Sequence, residues 1–384
     1  MNYIFWASIA LLGYHIVFYP LLVSFLSIFK RDRKTEEILE FPRITVLCPA
    51  FNEEEVLAKK LDSFVNLDYP KDKIDLIVIS DDSEDRTNEI ALEYVSKYDN
   101  ISLRIQKPRK GKPSGHNMVE PDLNCDYVLS TDANSIFYPD SVKFLVRTIL
   151  SDKRIGLVTG QLKYITKSGH SSGEGAYWKY ENFIKKCESK LRSIIVANGS
   201  IFLIKRDLFT QINPISADDF ERTLITLKEK HIAKYEPRAL VEEEVSEESK
   251  EEFRRKIRII AGEWDAVRRH KVLFNPFTNF YTFFTLGSHK ILRWIFFAFV
   301  FLLIVSNVIL ALSMNKLYLI ILVLQIVFYL IGSLDFIIKN GNSLKKITKL
   351  PGYFMIMILS SLLAFIRFVS GKQQATWSTI RTNQ

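Results

Sequence analysis

The chain has 384 residues, of which 48% are hydrophobic, and carries a formal net charge of +9 at pH 7. That length suffices for one or two domains with a sizeable core. The three cysteines (Cys48, Cys125, Cys187) are odd in number, widely spaced and without metal-ligand spacing, and are expected to stay reduced in the cytosol. No basic–aromatic array marks a nucleic-acid partner.

From the N-terminus, Tyr3 to Phe29 has no Asp, Glu, Lys or Arg, only His15 as a group that titrates near neutrality, and is long enough to cross a bilayer core of about 30 Å. It is too long for a signal-peptide core, and no small-residue cleavage site follows it. Lys30-Arg31-Asp32-Arg33-Lys34 comes next, and the positive-inside rule assigns that end, and the region after it, to the cytoplasm. The net positive charge suits an anionic inner leaflet.

Between Phe41 and His270 short apolar runs alternate with helical patterns. Strands are predicted at Ile44 to Cys48, Ile74 to Ser80, Ile101 to Gln106, Tyr127 to Ser130 and Ile155 to Gly160. Helices are predicted at Glu53 to Phe64, Asp85 to Ser96, Ser216 to Lys230 and Glu248 to Val272, the last with an acidic start at Ser246-Glu247-Glu248-Ser249. Such alternation predicts an α/β fold with a largely parallel sheet and its ligands at the carboxyl ends of the strands. Val272 to Trp294 reads as an amphipathic headgroup-region element. Three further apolar segments follow at Ile295 to Ser313, Leu317 to Ile338 and Gly352 to Val369. Three more crossings would leave Lys372 to Gln384 outside, against the cytoplasmic preference of Arg367, Lys372 and Arg381; one C-terminal segment is therefore expected to lie in the interface or to re-enter.

Four polar clusters fall where the strands end. Cys48-Pro49-Ala50-Phe51-Asn52-Glu53-Glu54 follows the first, Asp81-Asp82-Ser83-Glu84-Asp85 the second, and Asp132-Ala133-Asn134 the fourth; Ala217-Asp218-Asp219 opens a later helix. Residues i and i+2 at an extended strand end point the same way, so the oxygens of Asp132 and Asn134 can converge on one hard cation. The stretch from Lys107 to Lys112 is a cationic loop suited to a polyphosphate. Each cluster by itself also reads as a turn or a helix cap; their order on one α/β scaffold is the signal.

In that order the chain, from about Phe41 to about Arg269, resembles the family 2 glycosyltransferases, inverting nucleotide-sugar enzymes of the GT-A fold, and within them the membrane-embedded branch of bacterial polysaccharide synthases. The Pro-Ala-aromatic-Asn-Glu-Glu opening stands at Pro49 to Glu54 and the Asp-Gly-Ser-x-Asp turn at Asp81 to Asp85, with Asp82 in the glycine position. Gly111-Lys112, the metal motif at Asp132 to Asn134, the aromatic helix around Trp178, Asn198-Gly199-Ser200 and the base motif Ala217-Asp218-Asp219 complete the string. The resemblance implies that Pro49, Ala50, Phe51 and Glu53 line a uridine pocket and that Asp81 accepts a hydrogen bond from the base. It implies that Asp132 and Asn134 hold Mg²⁺ or Mn²⁺ and that Lys112 stabilises the leaving diphosphate. Asp219 is implied as general base, with Asp218 beside it raising its pKa by like charge. Trp178, Gly199, Ser200 and Trp264 are the acceptor-side candidates. The departures are Asn134 for a second acid, Asp218 for glutamate, and Ile260-Ala261-Gly262-Glu263-Trp264, which keeps only the tryptophan of the synthases' Arg-Trp motif.

The resulting expectation is an integral protein of the cell membrane: a first transmembrane helix (residues 1–30), a cytoplasmic GT-A domain (41–271), an interfacial segment (272–294), a C-terminal membrane region (295–370) and a tail (371–384). It would move one sugar from a UDP-sugar to a lipid-linked or membrane-near glycan acceptor. Four spans are few for one subunit to enclose a polymer conduit, because a glycan cannot cross hydrocarbon unaided. A processive synthase, as a homo-oligomer, is the alternative; a non-catalytic nucleotide-binding membrane scaffold is the reading from another class.

Overall fold

The computed structural model describes residues 1–31, 37–165, 175–244, 249–338 and 344–373. The acidic start predicted at Ser246 to Glu248, and the tail from residue 374, lie outside the described residues. The chain divides into two compact units, one built from Val23–Val245 with Asp265–Asn275, the other from Met1–Leu22, Ser246–Trp264 and Pro276–Gln373.

The first unit is built on an eight-stranded sheet of order β3-β2-β1-β4-β7-β6-β8-β5. Its strands are β1 (Ile44–Ala50), β2 (Ile74–Ser80), β3 (Ile101–Ile105), β4 (Tyr127–Thr131), β5 (Ile136–Phe137), β6 (Ile155–Ile165), β7 (Ile201–Lys205) and β8 (Ile232–Glu244). The β3-β2-β1-β4 half is parallel throughout, as is β6 with β8, whereas β7 pairs antiparallel with both β4 and β6. The result is a mixed, mostly parallel sheet. Its central strands are near-continuous runs of Ile, Val and Leu because both faces are covered, and every residue of β1 is buried. Leu57, Leu61 and Phe64 of the helix Leu57–Val65 pack into the core that holds Val46, Leu76 and Leu129.

Three differences from the predicted elements have physical causes. β8 was not predicted because Lys, Glu, Pro and Arg interrupt its apolar pattern, and it pairs with β6 through a register shift at Thr159/Gln161. β7, only five residues long, follows Asn198-Gly199-Ser200, a turn signal that masks it. The first helix starts at Leu57 rather than Glu53, because Asn52 takes a positive φ of 52° and residues 53–56 form a turn. Asp82 also has a positive φ, 61°, which explains why glycine is the usual residue there.

Among the described residues, Asn2–Ile28, Lys316–Leu334 and Ile347–Val369 are long and apolar enough to cross a membrane; Pro276–Trp294 and Phe296–Leu312, bent by 58°, make a fourth if they count as one broken span. Phe5 meets Tyr318 edge-on at 5.1 Å. Asn307 and Gln325 face each other across the hairpin of Phe296–Leu312 and Lys316–Leu334.

Candidate functional site

The carboxyl ends of β1, β2 and β4 lie side by side, so the polar clusters become neighbours. Ala50 is in register with Ser80, and the Asp81 amide donates to the Ala50 carbonyl at 2.9 Å. The two turns are cross-tied: the Asn52 amide donates to Ser83 Oγ (3.2 Å) and the Glu84 amide to Asn52 Oδ1 (2.9 Å). On the other side, antiparallel pairing of Thr131 with Ile201 sets the turn after β4 against the turn before β7. Thr131 Oγ1 donates to the Ser200 carbonyl at 2.9 Å, joining Asp132 to Gly199-Ser200.

Asp81 does not face open space, as contact with a nucleobase would require. It is 1% exposed. Its carboxylate accepts from the backbone amides of Lys110 and Gly111 at 2.9 Å each and from Gln106 Nε2 at 2.5 Å. Arg109 Nε lies 3.6 Å away. Asp81 is thus the anchor of the cationic loop, holding it by charge-assisted hydrogen bonds. The same loop lays the Arg109 guanidinium 3.4 Å over the centre of the Phe51 ring, beside Pro49 and Ala50 at the end of β1.

Lys112, at the start of the helix Lys112–Val119, joins the turn at Asp132 to the turn at Gly199. Its Nζ is 2.7 Å from Asp132 Oδ1, 3.2 Å from the Gly199 carbonyl and 3.9 Å from Asp218 Oδ2. Burial alone would lower its pKa, but Asp132 and Asp218 outweigh that and raise it, so Lys112 is a cation at neutral pH.

Asp218 has a different role from the one anticipated. It accepts from Arg222 Nε at 2.7 Å, and His116 Nδ1 stands 3.4 Å away. Burial raises its pKa, but His116, Arg222 and Lys112 together hold it far below the usual carboxylate range. Burial also lowers the His116 pKa, leaving that ring neutral near pH 7. Because Arg222 and Lys112 compensate its charge, Asp218 is not the like-charge neighbour that would make Asp219 more basic. Asp219, half-buried at the helix start, accepts from the Phe220 amide at 2.9 Å. Its other oxygen borders Gly199: a Cβ there would lie 3.4 Å from Asp219 Oδ2.

Behind this edge lies a buried network for which the motifs gave no signal. Lys60 is fully buried, with Nζ donating to Thr131 Oγ1 (2.7 Å) and to the Ser135 carbonyl. Ser135 Oγ and Ser200 Oγ both donate to Glu243 Oε1, at 2.5 and 2.7 Å. Arg222, four residues after Asp218, and His116, four after Lys112, share helix faces with them, so the i,i+4 rule could have found both.

The structure therefore brings together Asp132, Lys112, Gly199, Ser200, Asp218 and Asp219, with Asp81, Phe51 and Glu53 at the adjoining strand ends. Trp178 lies in the helix Gly175–Leu191, with its ring 5.3 Å from Tyr164. Trp264 belongs to the second unit, where it packs against Trp294 at 5.0 Å and stacks on Phe368 at 5.7 Å, a packing role in place of a sugar platform.

Asp132 and Asn134 are hard oxygen donors, and the ammonium held on Asp132 shows that this carboxylate accepts a cation. No cluster of three or more His, Cys, Asp or Glu side chains occurs among the described residues, so a divalent ion would draw further ligands from phosphate oxygens and water.

Residues 45–212 match the family described as "Glycosyl transferase family 2". A probable glycosyltransferase of Bacillus subtilis (strain 168), YdaM, is 28% identical over 274 residues, covering 65% of this chain and 64% of that protein. The poly-beta-1,6-N-acetyl-D-glucosamine synthase of Staphylococcus epidermidis is 26% identical over 204 residues, 51% of this chain and 48% of the synthase. The matches thus span between about half and just under two thirds of these relatives' own lengths. Among solved structures, the mannosyltransferase PcManGT of Pyrobaculum calidifontis, in complex with GDP-Man and Mn²⁺, superposes with a TM-score of 0.72 over 96% of this chain and 100% of that one, at 17% identity. That likeness is one of fold. The sheet, the order of motifs along it and the family match agree: residues 45–212 form a domain that matches the family 2 glycosyltransferases, on a GT-A-like fold.

Proposed function

We propose that this is a membrane-bound, inverting glycosyltransferase that moves one sugar from a UDP-sugar to a lipid-linked or membrane-near glycan acceptor, with its GT-A domain in the cytoplasm. One observation carries the reading: Lys112 touches Asp132 on one side and Gly199, the neighbour of Asp219, on the other. A diphosphate on the Asp132 side and an acceptor hydroxyl on the Asp219 side would then flank one anomeric carbon.

In the proposed reaction Asp219 takes the proton of the acceptor hydroxyl while that oxygen bonds to C1 and the C1–O bond to the diphosphate breaks. Attack from the face opposite the leaving group inverts the anomeric configuration. Lys112, held cationic by two carboxylates, receives the negative charge growing on the leaving diphosphate. Asp132 and Asn134 would hold Mg²⁺ or Mn²⁺, which when bound neutralises diphosphate charge. The Arg109–Phe51 stack and the loop tied to Asp81 would shape the nucleotide pocket together with Pro49, Ala50 and Glu53.

The resemblance to poly-N-acetylglucosamine synthases favours one second reading, processive addition, and product length separates the two. The test is UDP release by the detergent-solubilised protein, offered a panel of UDP-sugars with Mg²⁺ or Mn²⁺ and membrane lipid extract. Release with one sugar, abolished in Asp219→Asn while nucleotide binding persists, is the expected result. Turnover retained by Asp219→Asn would remove the base assignment, whereas UDP binding without release from any sugar would revive a binding-only scaffold.

A further inference from the structure

The last apolar helix, Lys345–Val369, is long enough to cross a membrane, yet its neighbours all cluster at one end of the helical hairpin Phe296–Leu312/Lys316–Leu334. Its start is clamped to the end of that hairpin: Lys345 pairs with Asp335 at 3.0 Å, and Thr348 Oγ1 donates to Asp335 Oδ1 at 2.8 Å. Farther on, Phe354 meets Phe296 at 5.3 Å and Phe365 meets Phe297 at 5.8 Å. Phe354 and Phe365 stand roughly 16 Å apart along a helix rising about 1.5 Å per residue, but their partners are consecutive residues. The first half of the helix therefore runs antiparallel to the last two turns of Lys316–Leu334, with Phe328 5.4 Å from Phe354 and Gly332 against Pro351 and Met355, and its second half crosses the end of the hairpin without climbing farther.

A second set of contacts agrees. Lys256 Nζ lies 5.2 Å from the Tyr353 ring, Phe365 and Phe368 both pack on Trp264 (5.8 and 5.7 Å), and Gln373 Nε2 donates to the Ala261 carbonyl at 3.0 Å. The last helix and the turn after it thus lie alongside residues 256–264. That segment belongs to a helix carrying Arg254, Arg255, Lys256 and Arg258, while Ile257, Ile260 and Ala261 are buried. Each such charge costs about 2.5–3.5 kcal/mol or more in mid-bilayer, so the segment stays at the headgroups, and whatever lies along it stays there too.

We infer that Lys345–Val369 is an interfacial helix lying in the plane of one leaflet, and that residue 373 emerges on the same side of the bilayer as residues 254–264. The inference rests on the membrane reading above and is independent of the chemistry. The partner is an anionic lipid surface: Ile347, Leu350, Ile366 and Val369, all more than half exposed, would dip into the acyl boundary, while Lys349 and Arg367 reach the headgroups. Three crossings, Asn2–Ile28, Phe296–Leu312 and Lys316–Leu334, then remain, and the cationic residues Arg367 and Lys372 fall on the side that the positive-inside rule favours.

The test is labelling of single cysteines in membrane vesicles of one orientation by a membrane-impermeant maleimide, in the full chain with Cys48, Cys125 and Cys187 replaced by alanine. Arg254→Cys reports the side of the charged helix and Met314→Cys the tip of the hairpin. Gln373→Cys is expected to react with Arg254→Cys, and opposite to Met314→Cys, reaching full labelling without detergent in the same vesicle population. Reaction of Gln373→Cys together with Met314→Cys overturns the inference. If Gln373→Cys stays unreactive even in detergent, Ser370→Cys, at an exposed position, replaces it under the same criterion. Release of the protein from vesicles by alkaline carbonate would instead remove the membrane reading, and this inference with it.

Discussion

Asp81 and Gly199 show how little separates a structural residue from one that shapes the site. Asp81 spends its lone pairs on the loop at Gln106 to Gly111, so its loss should loosen that loop without unfolding the sheet. Asp81→Ala is expected to weaken nucleotide binding by about tenfold to a hundredfold, the scale of one or two charge-assisted hydrogen bonds, as titration calorimetry with UDP would record. Binding unchanged would show that the loop is held by other contacts. Gly199→Ala puts a methyl group 3.4 Å from Asp219 Oδ2, in the space where an acceptor hydroxyl would approach. Its turnover should fall by about tenfold or more while Tm and UDP affinity are kept, because misplacement at the reacting centre is costly. An unchanged rate would move the acceptor path elsewhere. Motif order made Asp81, Lys112, Asp132 and Asp219 legible as a group. It did not disclose that Asp81 turns inward, or that Arg222 and Lys112 compensate the charge of Asp218, because orientation and partners are properties of the packed fold.

Among elements, the parallel half of the sheet was the most readable, since β1, β2 and β4 are mostly apolar runs. β8 escaped because Glu, Lys and Arg alternate through it, as they do in many solvated loops. The helix Leu57–Val65 holds the least expected residue: Leu57, Lys60, Leu61 and Phe64 occupy its buried face, so a lysine fills a core slot. Burial lowers the Lys60 pKa from 10.5 to about 7. Above that value the unfolded chain holds a proton that the folded one lacks, so this group makes stability rise with pH, by up to about 1.4 kcal/mol per unit. Buried Cys48, raised from 9.0 to about 11, works the other way above pH 9. Urea midpoints should therefore climb between pH 7 and 9 in wild type, and Lys60→Met should flatten that climb. Equal slopes in the two proteins would mean that Lys60 keeps its proton.

For the whole molecule, hydropathy exposed the long apolar helices but not their orientation. Ile347–Val369 is long and apolar enough for a span; it is the contacts of Phe354 and Phe365 with Phe296, Phe297 and Trp264 that argue for its lying across a helix end. Truncation before Lys345 should therefore leave a protein that still sediments with membranes, held by the earlier helices, while the Trp264 ring loses Phe365 and Phe368 and its fluorescence shifts to the red. A truncated protein found in the soluble fraction would assign the anchoring to the last helix.

The antiparallel pairing of Thr131 with Ile201 has a consequence for how such an enzyme can be altered. Because one rung of the sheet carries the Asp132 turn on one strand and the Gly199-Ser200 turn on its neighbour, the two cannot drift apart or be retuned by sliding either strand. A slip of one residue would reverse the facing of every side chain beyond it. New acceptor preferences would have to arise from side chains added around a fixed frame, which makes the walls of this site, and not its hinges, the place to look for divergence.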